Sequence, residues 1–130
     1  MLAPDDQVAI EQLNARYAHS IDRGDGPGWA SCFGVDGVFV SSRGGEVAGT
    51  ERLAEFAVAA AAAPEAGLRT HWIGTVHADE RDGAVTGRCY AMIVEGGAEP
   101  RIVSSVIYED ELDRSDEGWR FRRRVVRIVR

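Results

Sequence analysis

Residues 68–79, LRTHWIGTVHAD, open a half-chain that reads as β-structure almost without interruption. Three more stretches follow: AVTGRCYAMIV at 84–94, RIVSSVIYEDELDR at 101–114 and WRFRRRVVRIV at 119–129. Each is rich in β-branched and aromatic residues, which suit a pleated, half-buried surface. The segments ERDG at 80–83 and SDEG at 115–118 separate successive runs. Turns of this kind, closed by glycine, join antiparallel neighbours. The second half therefore predicts an antiparallel meander of long strands.

The first half has the other periodicity. Ile10, Leu13, Tyr17 and Ile21 recur at helical spacing and form one apolar stripe. Pro4 suits the first turn of that helix, and Asp5 and Asp6 suit its positive end. Gly24, in RGDG, supplies the stop. A short helical turn is expected over Pro27–Cys32, with Trp29 and Phe33 pointing inward. Val38–Val40 and Glu46–Ala48 flank SSRGG and read as a hairpin. Thr50 reads as the cap of a third helix, with Leu53, Phe56 and Ala57 inward and an alanine run ending before Pro64. Helices early and strands late predict an α+β domain, in which helices cover one face of a curved sheet. No linker or repeat interrupts residues 1–130, so one domain is expected.

Composition narrows the chemistry. A net charge of −6 and a pI near 5.0 argue against a nucleic-acid partner. The basic run RFRRRVVRIVR predicts alternate arginines on an outer face, with one or two paired. No apolar run approaches the roughly 18 residues of a membrane span, and the acidic start does not resemble a signal peptide. The expectation is a cytoplasmic protein with no membrane partner. Cys32 and Cys89 lie far apart, outside any zinc-type spacing, and are expected reduced and buried. No metal or cofactor is expected. The chain has no lysine, which excludes a Schiff-base mechanism.

Two residues stand out. Alternation along 69–76 places Arg69, His71, Ile73 and Thr75 on one face and Thr70, Trp72, Gly74 and Val76 on the other. A concave sheet would enclose whichever face holds the pocket, and His71 is the candidate general base. Asp22 falls in the last turn of the first helix, where a carboxylate meets the negative end of the dipole at a cost of roughly 0.3–1 kcal/mol. Arg23, solvent, or a protonated or hydrogen-bonded imidazole would offset that cost. Tyr17, on the same helix, could donate its hydroxyl to a developing oxyanion. Asp25 suits turn chemistry better, and His19 and His77 have weaker claims.

In order, IEQLNARYAHSIDRGDGPGWASCFGVDGVF, GTERLAEF, RTHWIGTV and IYEDELDRSDEGWRFRRRVV resemble the SnoaL-like branch of the nuclear transport factor 2-like superfamily, which includes scytalone dehydratase. The resemblance implies a cone: a curved mixed sheet wrapped by helices around a deep apolar pocket. Scytalone dehydratase, bile acid dehydratases and hexachlorocyclohexane dehydrochlorinase carry an aspartate–histidine pair, which Asp22 and His71 match. Tyr17 matches a tyrosine of the bile acid dehydratases. Thr75 stands where many relatives have asparagine, and the second pocket histidine of scytalone dehydratase has no counterpart. Arg124 matches a closing-strand arginine and is expected to form a structural ion pair with Asp110.

The resemblance implies a cofactor-independent lyase or isomerase acting on a hydrophobic ring-bearing molecule, such as a steroid, terpenoid, polyketide or aromatic compound. Catalysis is expected from Asp22, His71 and Tyr17. The expected lining is Trp29, Phe33, Phe39, Phe56, Tyr90, Met92 and Tyr108. A polyketide-type cyclase, an epoxide hydrolase and a non-catalytic binding or dimerising module are the alternatives. Sheet-face association as a homodimer or homotrimer is also implied, with Trp72 a candidate contact.

Overall fold

A computed structural model describes residues 1–64 and 66–129. The first helix, α1, spans Pro4–Arg23. Its stripe of Ile10, Leu13, Tyr17 and Ile21 is buried, together with Asn14. Gly24 ends it in the left-handed region (φ 67°), where its N–H reaches back to the carbonyls of Ser20 and Ile21. Asp25 then caps the short helix α2, Gly26–Ala30, by accepting from the Gly28 N–H at 3.0 Å. This cap is the structural use of Asp25, and it turns Trp29 into the core.

Strands β1 (Phe33–Val40) and β2 (Glu46–Ala48) form the predicted hairpin, pairing Val38 with Ala48 and Val40 with Glu46. Phe33 begins a strand rather than ending a helical turn. Helix α3 spans Thr50–Ala62, and Gly49, one residue earlier than expected, occupies the cap. Its other end is set by Pro64. Ala63 takes the extended conformation (ψ 139°) required before a proline. A 3₁₀ turn at Ala66–Leu68 leads into the meander.

The meander comprises β3 (Arg69–Arg81), β4 (Ala84–Glu95), β5 (Arg101–Ser115) and β6 (Gly118–Ile128). The sheet order is β2-β1-β6-β5-β4-β3, with β1 parallel to β6 and every other pair antiparallel. The result is an open mixed sheet. Register shifts interrupt four of its pairings, and such bulges bend and twist strands. The three helices fill the hollow of the curve. Trp29 lies at its centre, fully buried against Tyr17, Phe33, Phe39 and Phe56. Among the described residues, no helix is long and apolar enough to cross a membrane.

A bulge at Arg122 resets the alternation of the basic closing strand, so that Phe121 and Arg124 both point inward and are completely buried, while Arg122 pairs with Glu111 and Arg123 with Glu46, both at 3.2 Å. Cys32 and Cys89 are both free and buried.

Candidate functional site

Two elements remote in sequence meet at the mouth of the hollow. The last turn of α1 presents Asp22, and the start of β3 presents His71. His71 Nδ1 and Asp22 Oδ1 are 2.6 Å apart. The His71 backbone N–H also donates to both carboxylate oxygens, at 3.2 and 3.1 Å. Those donors offset the unfavourable position of a carboxylate at a helix C-terminus. They also decide the tautomer. An ionised carboxylate only accepts, so Nδ1 carries the hydrogen and Nε2 keeps its lone pair. Both side chains are about four-fifths buried, with 20% of His71 and 17% of Asp22 exposed.

His71 lines two neighbouring pockets, an inner and an outer lobe. The inner lobe, about 230 Å³, is walled by Tyr17, Trp29, Phe39, Phe56 and Tyr108, with Val106 and Val126 from the sheet. Its polar lining besides His71 is the Tyr17 and Tyr108 hydroxyls and Ser41, Ser42 and Ser104. The outer lobe, about 340 Å³, holds Asp22 and Arg69 beside an alanine-rich wall from the end of α3. Ile21, Ala60, His71, Ile93 and Ser104 belong to both.

Tyr17 is buried to 2% exposure, its ring edge-on to Tyr108 and Phe121. Burial, and secondarily the neighbouring Tyr108 hydroxyl, pushes its pKa well above the ordinary tyrosine value. Tyr17 is therefore a neutral donor at physiological pH rather than a base. Below it lies Arg124, whose guanidinium contacts the faces of Tyr17, Tyr108 and Phe121 at 4.5, 4.1 and 3.9 Å. Its Nε and Nη2 form a bidentate pair with Asp110, both bonds 2.8 Å, and Nη2 also donates to Asn14. Burial alone would weaken the arginine's hold on its proton. The Asp110 carboxylate overrides that, so Arg124 is held charged more firmly than usual.

Three expected lining residues are placed elsewhere. Tyr90 and Met92 lie on the outer face of the sheet, 53% and 36% exposed. The inward parity of β4 belongs to Cys89, Ala91 and Ile93 instead. Phe33 is buried behind Trp29 and Phe39, at 5.1 and 6.4 Å between ring centroids, and is not part of the cavity wall. Thr75 does not share the His71 face either. A bulge between Gly74 and His77 puts it at φ 51°, exposed, with its hydroxyl donating to the Gly74 carbonyl. Positive φ is uncommon for a β-branched residue, and strict alternation could not have anticipated it. Beyond the bulge, Val76 and Ala78 turn partly inward and His77 outward. His19 is exposed on the solvent side of α1.

The reading from sequence missed Ser41, Ser42 and Ser104, which carry no motif. Arg69 was visible only as a residue of the same parity as His71.

A SnoaL-like domain matches the chain over residues 4–125. Comparison with curated proteins finds no match. Among solved structures, the chain resembles Rv3472 of Mycobacterium tuberculosis, a protein of unknown function, with 30% identity and a TM-score of 0.82; the alignment covers 98% of this chain and 77% of that one. Aln2 from a Streptomyces species is 27% identical with a TM-score of 0.87, covering 98% of this chain and 94% of Aln2. An NTF2-like protein with a cystatin-like fold from Novosphingobium aromaticivorans is 19% identical with a TM-score of 0.85, over 96% and 82% of the two chains, and shows the shared fold. The three helices, the open mixed sheet and the family match together make this chain a member of the SnoaL-like family, with the nuclear transport factor 2-like cone fold.

Proposed function

We propose that the protein is a cofactor-independent lyase or isomerase that removes a proton from carbon on a hydrophobic, ring-bearing substrate. The observation that carries this reading is the 2.6 Å Asp22–His71 contact at the junction of the two lobes. With Nδ1 committed to Asp22, Nε2 is the free base. It takes a proton from the carbon next to a carbonyl, and the C–H electrons pass into the enolate. Asp22 stabilises the imidazolium that forms. The neutral Tyr17 hydroxyl donates to the enolate oxygen. In a dehydration, the enolate expels the β-hydroxyl, which takes the proton from Nε2 and leaves as water. In an isomerisation, the same proton returns to a different carbon.

The inner lobe supports a flat apolar ring, because aromatic side chains and two valines wall it. The test uses a panel of aromatic β-hydroxy ketones, followed by the absorbance of the conjugated product. His71→Ala and Asp22→Asn are each expected to lower kcat by about 10²–10⁴-fold. Retention of near-wild-type kcat by both variants would falsify the dyad mechanism.

A second reading, an aldol-type polyketide cyclase, is favoured by Ser41, Ser42 and Ser104 lining the inner lobe. Their hydroxyls would hold the second carbonyl while the enolate attacks it. A cyclised product of unchanged mass, instead of loss of water, would select this chemistry.

A further inference from the structure

The outer lobe has a charge pattern that proton abstraction does not use. Arg69 lies two residues before His71 with the same parity, and two residues of a strand advance about 7 Å. Its guanidinium is poorly matched inside the protein. The one ion pair it makes among the described residues is a loose 3.7 Å approach to Glu95. Its Nε is buried without a hydrogen-bond partner, although 35% of the side chain remains exposed. Glu95 is itself shared. Arg101 approaches it more closely, with Nε donating at 3.2 Å. Two guanidiniums therefore compete for one carboxylate. The other acid of the lobe, Asp22, is occupied by three hydrogen bonds from His71. The Arg69 guanidinium thus keeps a donor unused by any described residue, at the lining of a lobe whose other side chains are mostly small or aliphatic.

We propose that the outer lobe receives a carboxylate carried by the substrate, with Arg69 as its receptor, so that the substrate class is a ring-bearing carboxylic acid. This rests on the proposal that the inner lobe holds the ring. A guanidinium presents paired N–H donors that match a carboxylate in a planar fork. One guanidinium with a free donor, flanked by Asp22 and Glu95, suits a monoanion. A phosphate dianion would face two carboxylates with one cation. Arg69 then acts as a specificity and positioning residue, fixing the acid a short distance from the carbon that His71 deprotonates.

The experiment is isothermal titration of the full chain at pH 8 and low salt with 2-naphthoic acid and 2-naphthylmethanol, which share a ring system and differ in charge. The acid is expected to bind about tenfold more tightly, the size of one charge-assisted contact. Arg69→Gln should erase that preference while leaving the Kd of the alcohol unchanged, which also shows that the variant is folded. Arg101→Gln should narrow the preference, because Glu95 is then free to neutralise Arg69. Equal binding of the two probes by the wild type overturns the proposal, as does a preference that survives Arg69→Gln. If neither probe binds, the inner-lobe reading fails and this one fails with it. A dyad found inactive in turnover, alongside an intact acid preference, removes the mechanism and leaves the receptor standing.

Discussion

Two aspartates on the inner side of the sheet, Asp110 with Arg124 and Asp22 with His71, serve opposite ends. Asp110–Arg124 is sealed in the floor. Arg124 is 0% exposed and the Asp110 side chain 3%, and the bond is bidentate between adjacent antiparallel strands. Asp22–His71 bridges a helix end and a strand at the pocket mouth, with each partner about a fifth exposed. In the first pair Arg124 commits Nε and Nη2 to Asp110 and Asn14, while Nη1 is buried without a hydrogen-bond partner and out of reach of solvent. In the second, one ring nitrogen is committed and the other is left over. Burial makes the floor pair a structural device, because a lone charge there has no water to turn to. Partial exposure and a spare nitrogen leave the mouth pair free to exchange a proton.

This contrast can be broken from either side. The largest effect is expected from Asp110→Ala, which strands the Arg124 charge and should cost about 3–5 kcal/mol of stability. Asp22→Asn should cost less than about 1 kcal/mol, since solvent screens a part-exposed pair. Chemical denaturation of both variants checks the ordering, and equal losses would erase the distinction between floor and mouth. The double change Asp110→Leu with Arg124→Met removes both charges at once. It should recover most of the stability lost in Asp110→Ala, because a buried pair replaced by apolar groups of similar volume is often neutral or stabilising. A double variant no more stable than Asp110→Ala would show that the network with Asn14 and the tyrosine rings matters more than charge balance.

A smaller effect is expected at the border between the two regions. Tyr17→Phe keeps the ring over Arg124 and removes only the donor. Turnover should fall by about tenfold, one hydrogen bond's worth of about 1.4 kcal/mol, with an unchanged melting temperature. Unchanged kcat would assign Tyr17 wholly to the core.

The smallest and most gradual effect is alkaline. Burial raises the Cys89 thiol to about 11, against the opposing influence of Arg124, and also raises Tyr17 and Tyr108. Each native group holds its proton more tightly than the unfolded chain does. For Cys89 the associated stability is complete below the ordinary value near 9 and is lost as pH rises through about 11; for the two tyrosines it is complete below the ordinary value near 10 and lost above it. The melting temperature should therefore be flat up to about pH 8 and fall above about pH 9. Cys89→Ala should flatten part of that fall. A melting curve that declines equally in wild type and Cys89→Ala would exclude the thiol as a contributor.

Much of this architecture was legible because its signals are local. The α1 stripe, the Gly24 stop, the SSRGG hairpin, the Pro64 break and the turns at ERDG and SDEG depend on a few neighbouring residues each. The pairing of Asp110 with Arg124 was implied only by the family resemblance: unbroken register from the turn at SDEG would set Asp110 opposite Arg123, and the bulge at Arg122 brings Arg124 there instead. The errors arose where one strand had to choose a face. On β4, Tyr90 and Met92 looked like lining because they are large and apolar. The alternative parity, Cys89, Ala91 and Ile93, is equally apolar and smaller, and it is the one turned inward. On β3 the bulge at Thr75 moved every later residue to the opposite face, and no composition signal marks that bulge.

Sequence alone determined the order and type of the elements, the absence of lysine chemistry and the odd electrostatic placement of Asp22 at a helix end. These follow from spacing, turn residues and the helix dipole, which act over one or two turns of chain. Tertiary structure alone decided that His71 lies 2.6 Å from Asp22, that three serines enter the pocket and that Arg69 shares its acid with Arg101. The first of those relations joins residues 49 positions apart. All of them depend on sheet curvature and on which face each strand turns inward, quantities that the packing of the whole chain sets.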